Sequence, residues 1–276
     1  MSLASIGDTE LHYRVRGDHG PPLLLIMGFG AGADEWDALA EDLARDHRVL
    51  AFDHAGLGGS GPVPNRLDMP TLVEHVDALL DHVGWDAAHI VGMSMGGMVA
   101  QHYALERSER VRSASLLVSS AHGPTALRTT RAAYRKLPRL VLGKERARAR
   151  AVAELLHGSL GESRLGMDAL IDKQLRLVGF APFRVLRAHW QAILGHDTRR
   201  RLPGLDLRVP MLIIGASEDC VIPASETDRL AGLLPAARLR WVDGAGHNVH
   251  QDATPEVAGA LRRLVRSIEG PQAQAG

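Results

Sequence analysis

One stretch restricts the backbone more than any other: Ile90-Val-Gly-Met-Ser-Met-Gly-Gly97. An apolar, strand-like run stops at Gly92-Met-Ser-Met-Gly96 and passes at once into the helix-like segment 98–106. A strand that turns so sharply into a helix forces Ser94 into a strained backbone and crowds the residues two places before and after it. Glycine at both places relieves that crowding. The turn makes sense only where a strand ends at a sheet edge and a helix packs back on the sheet. It therefore predicts an α/β chain and a serine hydroxyl presented beside a helix N-terminus.

The rest of the chain repeats the strand–helix cycle. Residues 3–16 alternate apolar and polar side chains around Gly7-Asp8, as in a hairpin. Short apolar runs at Leu23–Ile26, Val49–Phe52, His89–Val91, Ser115–Val118, Val209–Ile214 and Arg238–Val242 read as strands, the first two buried on both faces. Helical spacing falls between them: Trp36, Leu39, Ala40 and Leu43, then 70–83, 95–106 and finally 254–268. This pattern predicts a mostly parallel sheet of eight strands with helices on both faces. It breaks at Gly123-Pro124. From there to 201 the chain is rich in Arg, Leu and Ala, with breaks at Pro138, Gly143, Gly158, Gly179 and Pro182. Residues 1–122 and 202–276 are therefore expected to form one core domain, and 123–201 a helical insertion. The tail after Gly270 reads as disordered.

Net charge is +0, which argues against recruitment of nucleic acid or an anionic membrane. The single cysteine, Cys220, excludes an internal disulfide or a cysteine-based zinc cluster and fits a reducing compartment. No stretch approaches a membrane span, and the first residues lack a signal-peptide core, so the expectation is a cytoplasmic protein. There is no H-E-x-x-H, no calcium-loop spacing and no Walker lysine, so neither a metal nor a cofactor is expected.

A serine hydroxyl needs a base to take its proton and a carboxylate to orient that base. Asp219 follows the strand-like run 209–214, and His247 follows Arg238–Val242 within Gly244-Ala-Gly-His247. The chain order is Ser, Asp, His. Neighbouring candidates are weaker. His250 lacks the glycine turn, Glu218 and Asp243 are offset by one residue, and His89 and His102 are expected at a strand end and a helix surface. Cys220 is expected to be a packed small side chain.

Five elements now fall in order: the strand–glycine turn at 23–32, Asp53-x-x-Gly-x-Gly-x-Ser60, the serine elbow, Gly215-x-x-x-Asp-x-x-x-Pro223 and Gly244-x-Gly-His247. Over nearly its whole length the chain resembles the α/β-hydrolase superfamily, with a helical cap inserted after the sixth strand. The resemblance implies Ser94 as nucleophile, His247 as general base, Asp219 as its orienting acid, and the Phe29 and Met95 backbone N–H groups as oxyanion hole. Two positions depart from the family pattern: Met27 replaces a usual His before Gly28, and Ala55 replaces a usual Arg. Serine at the elbow disfavours haloalkane dehalogenases and epoxide hydrolases, which need a carboxylate there. The resemblance implies a small-molecule substrate, most simply an apolar ester or lactone. Carbon–carbon bond hydrolases, perhydrolases and non-hydrolytic receptors share the layout.

Substrate contacts are expected from Met27 and from Tyr134, Phe183 and Trp190 of the cap. The Arg-rich run from Arg128 to Arg150 reads as a solvated helix face rather than an anion trap. The turn Gly28-x-Gly30-x-x-Ala33 also matches a dinucleotide-binding turn, with Asp53 as ribose-binding acid. However, Asp34, Glu35 and Asp37 would repel a diphosphate from the helix start.

Overall fold

The structure is a computed structural model that describes residues 2–126, 131–176 and 182–270. The hairpin of β1 (Ser2–Ile6) and β2 (Thr9–Arg16) turns at Gly7, whose φ of 55° suits a residue without Cβ. Six further strands follow: β3 (Pro22–Ile26), β4 (Arg48–Phe52), β5 (Ala88–Met93), β6 (Val111–Leu117), β7 (Met211–Ala216) and β8 (Arg238–Val242). They join in the order β1-β2-β4-β3-β5-β6-β7-β8. β1, β2 and β4 pair antiparallel, and every pair from β4 through β8 is parallel. β7 starts two residues later than its apolar run, because Pro210 has no N–H for the ladder.

Parallel pairing brings the carboxyl ends of β3 through β8 to one edge. The strand order reverses between β3 and β5, since the chain first steps outward to β4 and then returns past β3. A crevice at such a reversal is where open α/β sheets bind ligands.

Every residue of β3, β5 and β7 is buried, and side-chain alternation sends each strand into two cores. Leu24, Ile26 and Ile90 pack with α2 (Met69–His82), α3 (Met95–Glu106) and α10 (Ala224–Leu233). Leu23, Leu25 and Val91 pack with α1 (Asp37–Leu43) and α12 (Thr254–Glu269). The edge strand β8 is mostly exposed, and Arg238 and Arg240 blunt it against further pairing.

Six helices follow one another between β6 and β7 among the described residues: α4 (Gly123–Ala126), α5 (Arg131–Leu142), α6 (Glu145–Leu156), α7 (Ser159–Leu165), α8 (Met167–Arg176) and α9 (Phe183–Leu194). Gly143 and Gly158 lie between helices, but Pro138 sits inside α5 rather than breaking it. Proline forfeits one helical hydrogen bond, and it persists where packing outweighs that loss. α5 is tied to α6 by Lys136 Nζ, which donates to the Glu154 carbonyl at 2.7 Å. Arg146 pairs with Asp168 and Asp172 of α8, and Arg139 and Arg150 with Glu154, so part of the basic run is paired within the helices. Arg128, Gly179, Phe180 and the tail 271–276 lie outside the described residues.

Candidate active site

Ser94 sits between β5 and α3 with φ 55° and ψ −120°. Its N–H donates to the Leu117 carbonyl at 2.9 Å, and its own carbonyl accepts from Ser119 Oγ at 2.9 Å and Met98 N–H at 3.2 Å. A Cβ on Gly92 would overlap the Gly96 carbonyl, and one on Gly96 would overlap the Ile26 carbonyl. The two glycines are thus demanded by backbone contact, not by loop freedom. Val118, on the adjoining loop, is also left-handed at φ 42°, an unusual state for a β-branched residue. Strain is concentrated around the serine.

Two loops away, Asp219 and His247 form a buried pair. His247 Nδ1–H donates to Asp219 Oδ2 at 2.8 Å. The other carboxylate oxygen accepts the Val221 and Ile222 N–H groups at 2.7 and 2.9 Å. That division fixes the carboxyl plane and reserves one oxygen for the imidazole. Asp219 and His247 are 9% and 5% exposed, and Ser94 is 9% exposed. All three follow parallel strands at the same sheet edge. The serine hydroxyl makes no hydrogen bond among the described residues, so it is not joined to His247 in this state.

The β3 turn passes directly beside the serine. A Cβ on Gly28 would stand 3.1 Å from Ser94 Cβ and 3.6 Å from its Oγ. The Met27 carbonyl accepts from His54 Nε2 at 3.0 Å, which anchors this turn from the loop after β4. Burial pushes the His54 imidazole down to about 3, so it stays neutral. Asp53 is fully committed: it accepts from Ala33 N–H at 2.6 Å, Gly59 N–H at 2.9 Å and His12 Nδ1 at 2.7 Å. It staples the glycine turn to the neighbouring loop and leaves no oxygen free for a ribose.

The expected substrate contacts separate. The Met27 side chain is buried in the α1/α12 core. Phe183 is 81% exposed at the start of α9. Trp190 of α9 meets Phe29 edge to face at 5.9 Å, both rings partly exposed. The Tyr134 side chain lies outside the described residues. Met95 is wholly buried at the first position of α3.

The other candidates have separate roles. His250 donates to the Glu35 carbonyl at 3.1 Å and packs on Trp36. His89 and His102 are both buried, contrary to the helix-surface placement expected for His102. His89 contacts Ser113 Oγ, and His102 faces His196. Glu218 accepts from Ser159, and Asp243 accepts from Ser217 Oγ. Cys220 is partly buried, next to Asp219. Among the described residues, no group of three His, Cys, Asp or Glu side chains could hold a metal ion.

A model of the alpha/beta hydrolase fold matches residues 21–254. The chain belongs to the α/β-hydrolase family. It is a hydrolase. A RutD protein of Azorhizobium caulinodans, named for carbamate hydrolysis, is 32% identical over 260 residues, covering 93% of this chain and 95% of its own. The enol-lactonase of Burkholderia xenovorans LB400 superposes with a TM-score of 0.80 at 21% identity, over 96% of this chain and 99% of that one. The meta-cleavage product hydrolase of Pseudomonas fluorescens IP01 gives 0.80 at 22% identity, over 97% and 98%. At those identities the two structures share the fold alone.

Nothing in the sequence singles out His54, which anchors the Met27 carbonyl, or the buried pair of His157 Nδ1 and Asp252 Oδ1, 2.6 Å apart. His54 directly follows the motif acid Asp53, and no motif position marks it. Asp252 lies five residues beyond His247, with no spacing rule to single it out.

Proposed function

We propose that the protein is a cofactor-independent serine hydrolase of small apolar carboxylic esters or lactones. The buried His247–Asp219 hydrogen bond, on the sheet edge that also carries the strained Ser94, carries this reading. His247 Nε2 takes the Ser94 proton as Oγ attacks the substrate carbonyl. Asp219 fixes the Nδ1–H tautomer and stabilises the imidazolium. The tetrahedral oxyanion is held by the Phe29 and Met95 N–H groups, each worth about 100- to 1,000-fold in rate. Collapse expels the alcohol, protonated by His247, and water then cleaves the acyl-enzyme by the same route.

Residues 123–201 act as a cap on the core formed by 1–122 and 202–276. The Phe29–Trp190 pair, between the oxyanion turn and α9, supports an apolar substrate mouth. We further propose that the enzyme works in the cytoplasm on a free small molecule. No helix among the described residues is long and apolar enough to cross a membrane.

A fluorophosphonate probe should label wild-type protein and fail on Ser94→Ala. Ester turnover should fall at least about 10,000-fold in that variant. Near-normal turnover in Ser94→Ala would refute the reading. A panel of p-nitrophenyl esters, a lactone, a carbamate and a vinylogous diketone ranks the leaving groups, because this fold tolerates weak ester hydrolysis.

A further inference from the structure

We infer that Asp252 is a positioning residue for His247, acting through the backbone N–H of Gly246; this rests on the proposed role of His247 as base. Asp252 ends α11 (Val249–Asp252) and is 0% exposed. A carboxylate so buried is costly unless N–H groups surround it. Three do. Oδ2 accepts from Gly246 N–H at 2.8 Å and Gly158 N–H at 3.0 Å, and Oδ1 accepts from His157 Nδ1–H at 2.6 Å. A Cβ on Gly161 would collide with this carboxylate, so α7 packs directly against it.

Gly246 immediately precedes His247, while His157 and Gly158 join α6 to α7. The carboxylate therefore clamps the base loop to the helical segment. Further bonds run the same way: Asn248 N–H donates to the Leu156 carbonyl at 2.7 Å, and Leu160 N–H to the Gly244 carbonyl at 2.8 Å. The acid loop joins the clamp, since Glu218 accepts from Ser159 N–H at 2.7 Å and Oγ at 2.8 Å. Glu218 N–H in turn donates to the Ala245 carbonyl at 2.9 Å. Residues 156–160 thus brace both loops of the dyad and are not a free flap. The Asp252 carboxylate accepts N–H groups from the His247 loop and from the brace with the same oxygen.

The test uses the full chain, with p-nitrophenyl acetate as substrate and Ser94→Ala as the control for serine chemistry. Asp252→Asn keeps only one acceptor oxygen, so it cannot accept from Gly246 and from His157 at the same time. In protein that is folded by circular dichroism, kcat should fall about 30-fold with KM within twofold, the signature of a misplaced base. The downfield His247 Nδ1 proton, identified by its loss in His247→Gln, should shift or broaden. Unchanged kcat and an unchanged resonance would overturn the inference. If Asp252→Asn does not fold, His157→Leu and His157→Gln decide: kcat should fall in the first and recover in the second, which keeps an N–H donor. Equal kcat in both overturns it. Should wild-type protein turn over no ester and resist the fluorophosphonate, the hydrolase reading fails. The proton resonance in the Asp252 and His157 variants then still decides whether the clamp positions His247.

Discussion

Ser94 keeps φ 55° because the backbone around it leaves no relaxed alternative, and Gly96 shows how little room there is. A methyl group there would overlap the Ile26 carbonyl and lie 2.6 Å from the Met27 carbonyl. No side-chain rotation can relieve a clash between backbone atoms, so β3 and α3 would have to part. Gly96→Ala should therefore cost about 3 kcal/mol or more, a fall in Tm on the order of 10 °C. A thermal melt within about 2 °C of wild type would disprove this account of the glycine. The need for this glycine was legible, since G-x-S-x-G names the crowded positions. The identity of the crowding atoms was not, because they belong to the end of β3 and the residue after it, more than sixty residues earlier. The same holds for His54: its sequence neighbours say nothing of the Met27 carbonyl it holds.

At the scale of elements, an ion pair moors α8 to the core. Lys173 Nζ donates to Glu35 Oε2 at 2.8 Å and to Gln251 Oε1 at 3.0 Å. The Glu35 side chain is 8% exposed, so its charge is poorly hydrated without the lysine. Lys173→Met should lower stability by about 2 kcal/mol through the carboxylate left behind. Adding Glu35→Gln removes the stranded charge and should restore part of the loss. A double variant no more stable than the single one in thermal melts would contradict this. Sequence periodicity marked residues 123–201 as helical and the run from Arg128 to Arg150 as a solvated face. It missed the mooring, because Glu35 was read only as a helix-start acid. The pairing arises where α8 and α11 meet the start of the first core helix, far apart in the chain.

For the whole molecule, buried histidines set the response to acid. Burial pushes His54, His196 and His250 down to about 3, and His75 and His89 to about 4. Unfolded imidazoles titrate near 6.5. Above that pH both states leave these rings neutral and stability is complete. Below it the unfolded chain binds protons that the folded chain refuses, so stability falls down to the folded values. Each ring contributes at most about 1.4 kcal/mol per pH unit. Tm should drop by about 10 °C or more between roughly pH 7.5 and pH 5. An unchanged Tm would show that these rings are not held neutral. Fourteen histidines were visible in the sequence, but burial is a property of packing and could not be assigned to particular rings.

The sequence alone determined the alternation of strands and helices, the mostly parallel sheet, the serine turn and the order of the candidate acid and base. These rest on local physics: side-chain periodicity, proline and glycine geometry, and short motifs within one turn. Tertiary structure alone decided that Asp219 reaches His247, that Asp53 is engaged by two backbone N–H groups and His12, that Met27 packs inward, and that Asp252 ties the His247 loop to residues 157–158. Each depends on atoms brought together from distant parts of the chain. A buried carboxylate takes its role from the donors that the fold places around it.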